Sequence, residues 1–513
     1  MTTFKTSENL FNLVKRLSKS EKRFFTMYSD FQTGDKIYLQ IFKAMDKMKE
    51  YDEGKLLAIF KSTDMAEGEK RRKIAVNKNY LYNQVLRSLR IFNNEKESID
   101  ILLYNLLVDV QALRGKGLFQ LALKRLNKAK KIATEYEKLL MLLEIIALEI
   151  DINIEHRPKG LKKNVDKLYK QKNTELNRVK EYLELKSFDK QLFVSVRLRK
   201  EPLADNFLHA IEALDCFENQ TFHFSSFHAE NHYYNLMALY YLYVKKNLKT
   251  ASHYRHKVLE LWRTNDKIRK NQRHEYKLAI ANYLGSLHEM GKYGEFEKLL
   301  EEMENIPTKT LSDEAETFQN VCFYKSLWYT NTHKYRLAEE LVPVIKQGLK
   351  KYYPKINEAR EVTFYHNMVI LYFIQGGREK FRTASKLLNE ILRSEKRIAR
   401  EDIKRFAWVL EIILHHELGS DKVLEHIFNT AKRELELKKK KPHKFEELTF
   451  KHLKGFLFAP PADKKTLLRA FREDLRAFAK ENKHFGMEEL DLWINSKIRN
   501  CTIADILREE SNS

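Results

Sequence analysis

The histidines are the first residues whose spacing could do chemistry. His228 and His232 stand four apart in His228-Ala229-Glu230-Asn231-His232, and His253 and His256 stand three apart. On a helix either pair shares one face and could fill two corners of a metal site. Glu230 falls on another face and no third ligand accompanies them, so no metal is expected. Cys216, Cys322 and Cys501 are far apart, without metal or redox spacing, and so sparse a set fits a reducing compartment. The sequence holds no phosphate-cradling glycine loop, no nucleophile elbow and no HExxH helix. No catalytic residue, no cofactor and no enzymatic activity are expected.

Two groups suit binding instead. Tyr233, Tyr234, Tyr240, Tyr241 and Tyr243, with Tyr254 and Trp262, are interleaved with Lys245, Lys246, Arg255 and Arg263. Rings alternating with cations can grip a peptide or stack bases, and the same rings can fill a helical core. Tyr234, Tyr241, Lys245, Arg255 and Trp262 are the candidate partner contacts. The second group is basic. Lys70, Arg71, Arg72 and Lys73, then Lys78, Arg87 and Arg90, lie on one long N-terminal helix that follows shorter ones. Lys124, Arg125 and Lys128 lie on a later helix. Such an arrangement fits a helix-turn-helix reading, with Arg71, Arg72, Lys73, Lys124, Arg125 and Lys128 as candidate nucleic-acid contacts. Cations at a helix start oppose the macrodipole, which favours a solvated surface. The net charge is +23, and residues 1–200, with 42 Lys/Arg against 26 Asp/Glu, hold +16 of it.

These residues must be positioned by helices. The 513 residues include only 15 Gly and 8 Pro, while charged residues make up 32%. That composition suits long amphipathic helices and argues against an all-β or disordered chain. Ser18-Lys19-Ser20-Glu21 fits a capping box. Ser98 and Asp463 are in place to cap later helices, and the apolar spacing predicts a helix over 67–92. Two helices are expected over 159–171 and 174–199, a third from Pro202 to Leu214, and a loop over 219–226. Pro343 falls inside an expected helix and should kink it. Lys438 to Pro442 reads as a basic break, and the end of the chain as frayed.

A short pattern recurs along the chain. Gly117 ends one helix, Phe119 follows two residues later, and the small residues Ala122 and Ala129 sit inside the next helix. Looser copies align on Ala251, Phe296, Ala338, Ala384 and Leu424, with separations of 45, 42, 46 and 40. Their turns begin at Lys246, Gly291, His333, Gly376 and Gly419. The pattern resembles the tetratricopeptide-repeat superfamily, in Gly117, Phe119, Ala122 and Ala129 and again over Ile280–Pro307, with Gly291 and Tyr293 at the turn. The resemblance implies a right-handed α-solenoid of stacked antiparallel helix pairs with a concave surface for protein or peptide partners. The period of about 43 is longer than that family's 34, and HEAT or armadillo units are the alternative.

The expected division is an N-terminal basic helical region over 1–95, a helical-repeat solenoid over 96–435, irregular at 157–230, and a C-terminal helical cap over 436–513. The function expected is a non-enzymatic scaffold that binds protein or peptide partners. Nucleic-acid binding through the basic first 200 residues is the alternative. No secretory signal or membrane span is apparent: Leu139–Ile154, the most apolar stretch, carries Glu144, Glu149 and Asp151. No membrane insertion and a cytoplasmic location are expected.

Overall fold

The computed structural model describes residues 6–30, 36–60, 65–94, 98–198, 223–392, 400–436, 444–481 and 484–512, with 208, 209 and 211 besides. Every regular element among them is helical, and neighbouring helices pack in pairs. The chain divides into two compact units, Met1–Glu181 and Tyr182–Ser513. The division falls inside one continuous helix, Leu161–Leu198, which replaces the two helices expected there. No residue between 171 and 174 breaks it: Gln171, Lys172 and Asn173 carry no proline or glycine. The expected Pro202–Leu214 helix, residues 219–222 of the expected loop, Cys216 and the Lys438–Pro442 break lie wholly or largely outside the described residues.

In the first unit, Thr6–Arg16, Lys19–Asp30, Ile37–Lys47 and Glu53–Leu57 pack on the long helix Glu67–Asn94. Their core gathers Val14, Phe25, Ile41, Met45 and Leu56 around Ile74, Leu81 and Val85 of the long helix. The Ser18 box is present in both arms. The Ser18 backbone N–H donates to Glu21 Oε2 at 2.7 Å, and the Glu21 N–H donates to Ser18 Oγ at 3.3 Å. Ser98 precedes Ile99–Gly115 without a side-chain cap bond. Ile99–Gly115, Phe119–Glu135 and Leu139–His156 form a second core in which Ala122, Ala129 and Ala133 are fully buried. Small side chains there let the helix axes approach closely.

In the second unit, first and second helices alternate. Arg273–Glu289, Leu311–Asn331, Glu358–Gln375, Glu401–Glu417 and Lys444–Leu457 each touch the next of the set, with second helices packed between. Buried side chains of successive pairs join in one core, as Ala338, Val369, Leu410 and Phe456 do. Tyr335–Lys351 runs through Pro343 as one helix. Pro461 opens the helix Pro461–Glu481, so Asp463 lies inside it and not at its cap. Beyond Met487–Arg499 the chain forms a further helix, Ile503–Asn512, whose Ile503, Ala504 and Ile506 are buried, so Glu509 to Asn512 of the expected frayed end are helical.

The turns at Gly117, Glu137, Gly291, His333 and Gly419 share one closure, while Gly376, with ψ of 179°, and Lys246 differ from it. Gly117, Gly291, Gly376 and Gly419 have positive φ, and so do Lys246, His333 and Glu137. At most of them the N–H after the left-handed residue reaches back five residues: Leu118 to Leu113 O at 3.0 Å, Lys138 to Ala133 O at 2.8 Å, Lys334 to Tyr329 O at 2.8 Å and Ser420 to His415 O at 3.0 Å. This is the Schellman closure of a helix end. A side chain there costs about 1–2 kcal/mol, which Lys246, His333 and Glu137 bear. At Gly117 φ is +73° and a Cβ would meet nothing within 4 Å. Gly117→Ala is therefore expected to lose about 1 kcal/mol through the backbone alone, read by far-UV circular dichroism in urea.

Candidate functional site

The aromatic band is largely a packing layer. Trp262 is buried, its Nε1 donates to Asn231 Oδ1 at 3.0 Å, and its ring meets Phe227 edge-on. Tyr241 stacks on the fully buried Tyr254, with ring centroids 5.7 Å apart. Tyr234 is half-buried against Phe224 and Tyr254 and donates its hydroxyl to Glu230 Oε1 at 2.7 Å. Lys245 is exposed, its ammonium 5.4 Å from the Tyr240 ring centroid. The helix Phe227–Tyr243 thus turns most of its rings inward against Leu248–Thr264.

The histidine pairs take part in the same packing. Tyr182 lies against both His228 and His232, with centroids 5.8 and 5.7 Å away. His232 Nδ1 is 2.8 Å from Oδ2 of the buried Asp189. His256 meets the Tyr283 ring edge-on. Among the described residues no three His, Cys, Asp or Glu side chains come together as a metal site.

The basic candidates separate by environment. Arg71 is paired with Glu67, one turn earlier, at 2.7 Å. Lys73 lies over the Phe60 ring at 5.8 Å. Lys78 is buried, donating to Tyr51 Oη at 2.7 Å and Glu53 Oε1 at 3.2 Å. Arg72 is exposed. Lys124 and Lys128 are exposed on one face of Phe119–Glu135, beside Gln120 and Lys131, while Arg125 is 3.5 Å from Asp109. Periodicity finds the helix but not the partner, because the carboxylates lie on other turns or other helices.

Three arginines lie against the first helices of the second unit: Arg255, reaching across from Leu248–Thr264, Arg360 on Glu358–Gln375, and Arg400 at the start of Glu401–Glu417. Arg255 Nη1 donates to Asn282 O at 3.0 Å and to Ser286 Oγ at 2.8 Å. Tyr324 Oη donates to Ala281 O at 2.5 Å. Gly285 makes room for both: a Cβ there would stand 3.3 Å from Tyr324 Oη and 3.9 Å from Arg255 Nη1. The Arg360 guanidinium lies 4.4 Å from the Phe323 ring centroid. Arg400 forks onto Asp402 and donates Nη1 to Thr363 Oγ1 at 3.1 Å. Only Arg255 of this set is a sequence candidate; Arg360 and Arg400 sit 105 and 145 residues further along the chain.

Arg255 and Arg360 are unlike the other cations tucked between helices. Lys130 has Glu149, Arg178 has Glu137 and Glu175, Arg263 has Glu302, and Arg405 has Glu446. Among the described residues neither Arg255 nor Arg360 has a carboxylate within ion-pair distance. Burial lowers the pKa of both; Glu289 partly offsets this at Arg255, and at Arg360 Tyr324 opposes it while Arg400 adds to it. Burial also pushes the Tyr324 hydroxyl up to about 12, so it stays a neutral donor. A guanidinium keeps its charge under such shifts. The result is two desolvated positive charges held by neutral groups, an environment that an arriving anion would stabilise.

No family model, no curated protein and no solved structure matches the chain. No helix among the described residues is long and apolar enough to cross a membrane.

Proposed function

We propose that the protein is a non-enzymatic helical-hairpin scaffold of the tetratricopeptide-like kind, working in the cytoplasm. In this reading its pairs stack with right-handed sense between helical caps and take up acidic segments of protein or peptide partners along the face of the first helices. The observation that carries the reading is the pair Arg255 and Arg360, both half-buried and, among the described residues, without a carboxylate at ion-pair distance; Arg255 reaches from Leu248–Thr264 onto the first helix Arg273–Glu289, and Arg360 lies on the first helix Glu358–Gln375. The repeated left-handed turn supports the hairpin assignment. The free thiols Cys322 and Cys501 fit a reducing compartment.

Short labelled peptides rich in Asp and Glu test this against Lys-rich counterparts. The acidic set is expected to bind the full chain, and Arg360→Ala to weaken that binding about tenfold to a hundredfold, as for the loss of one hydrogen-bonded charge. Tryptophan fluorescence checks that the variant folds, since Trp262, Trp328, Trp408 and Trp493 all lie in the second unit. Equal binding of acidic and basic peptides, or binding indifferent to Arg360→Ala, overturns the reading.

A further inference from the structure

The first unit carries a different surface. From Lys70 to Asn94 the chain holds seven Lys/Arg and no carboxylate. Burial and pairing divide these cations. Arg71, Lys73 and Lys78 are engaged with Glu67, Phe60, Tyr51 and Glu53. Arg72, Arg87 and Arg90 remain exposed, with no ion pair among the described residues, and Val76, Asn79 and Asn83 are exposed on the same helix.

Helical geometry places these six together. At about 100° per residue, Arg72, Val76, Asn79, Asn83, Arg87 and Arg90 fall within an arc of about 80°. Ile74, Leu81 and Val85, on the opposite side, are the face buried against the short helices. Arg72 and Arg90 are about 27 Å apart along the axis at about 1.5 Å per residue. An ordinary solvated face mixes charges of both signs, but this one offers arginines at its two ends and amides and a methyl-bearing side chain between. Asn matches the adenine edge in the major groove, Arg matches guanine or phosphate, and Val suits the thymine methyl.

We propose that this exposed face of the Glu67–Asn94 helix docks in the major groove of duplex DNA. Arg72, Arg87 and Arg90 contact phosphates along the groove, and Asn79 and Asn83 face base edges. The first unit's net charge of +13, from 37 Lys/Arg against 24 Asp/Glu, steers the approach. Duplex RNA is excluded by the same geometry, because its major groove is too narrow for a helix. This proposal is independent of the peptide-binding reading, which concerns the other unit.

Fluorescence anisotropy with the full chain and a labelled DNA duplex, at about 50 and about 200 mM salt, tests it. Binding is expected to weaken steeply with salt. In Arg72→Ala/Arg87→Ala/Arg90→Ala the log–log salt slope should fall by about 2–3, near 0.9 for each phosphate no longer neutralised. Asn79→Ala/Asn83→Ala should leave the slope unchanged and erase discrimination among duplex sequences. All five residues are exposed, so the variants should keep the helical circular dichroism of the parent. No salt-sensitive duplex binding, or an unchanged slope in the triple variant, overturns the proposal. So does RNA duplex bound as tightly as DNA, or an equal loss from Lys124→Ala/Lys128→Ala. Unaltered sequence discrimination in the asparagine variant overturns the base-reading role.

Discussion

Glu446→Ala is expected to destabilise the second unit by about 3–5 kcal/mol. Glu446 and Arg405 are both almost fully buried and join in a two-pronged pair, through Nε to Oε1 and Nη2 to Oε2. The pair ties the helix Glu401–Glu417 to Lys444–Leu457, the next first helix. Removing Glu446 leaves the Arg405 guanidinium almost fully buried, with Glu401 at 3.9 Å as its one remaining ion-pair partner among the described residues. A guanidinium cannot escape by losing its proton. Intact, the pair is worth much less than its loss costs, since desolvating two charges absorbs most of their attraction. Arg405→Met/Glu446→Leu should therefore recover most of the stability lost in Glu446→Ala. Urea unfolding followed by tryptophan fluorescence reads this unit alone, because the first unit holds no tryptophan. A loss below about 1 kcal/mol in Glu446→Ala would mean that water reaches Arg405.

The turns are the most legible part of the fold. Aligning the pattern at Gly117 puts Lys246 and His333 in the same slot as Gly291 and Gly419, and all five adopt positive φ. The signal there is local, since a Schellman closure draws on residues within one turn of each other. Glu137 occupies the slot too, but its flanking residues Tyr136 and Lys138 resemble ordinary helix surface. The long helix Glu67–Asn94 is legible from its apolar spacing, while Leu161–Leu198 reads as two helices because its apolar residues are sparse between Tyr169 and Val179. The helix Ile503–Asn512 gives little signal because only its first turn is apolar.

Side-chain roles are much less legible, and the reason is distance along the chain. Trp262 and Arg255 are neighbours in sequence and read as one group, yet Trp262 points into a core with Phe227 while Arg255 reaches Ser286. Arg360 gives no signal at all. Its character comes from Phe323 on one neighbouring helix and from having no carboxylate at ion-pair distance among the described residues, both properties of the stack. In the N-terminal helix the run Lys70–Lys73 draws attention by density. The exposed stripe beginning at Arg72 emerges only once Arg71, Lys73 and Lys78 are accounted for by their partners.

Gly486→Ala should cost about 2–4 kcal/mol, the sum of two separable effects. Gly486 precedes the helix Met487–Arg499 with φ of +87°, a region where a Cβ is strained. An added Cβ would also come within 2.2 Å of Phe406 Cδ2 and 2.5 Å of its Cγ, so the ring as a whole must move. It has little freedom to do so. Phe406 is buried, with Phe485 edge-on at 5.9 Å and the buried His366 at 6.3 Å. Burial holds His366 neutral, with a pKa lowered to about 3, so a repacking that admitted water would change its environment too. Gly377→Ala isolates the backbone effect, since its φ is +89° and nothing lies within 4 Å of the added Cβ. That variant should lose about 1 kcal/mol, and the difference between the two measures the clash with Phe406. Both residues lie in the unit that tryptophan fluorescence reports, so one urea titration serves for both. Equal losses in the two variants would show that Phe406 can turn aside, and that the helix Met487–Arg499 is seated less firmly on Glu401–Glu417 than the close approach implies.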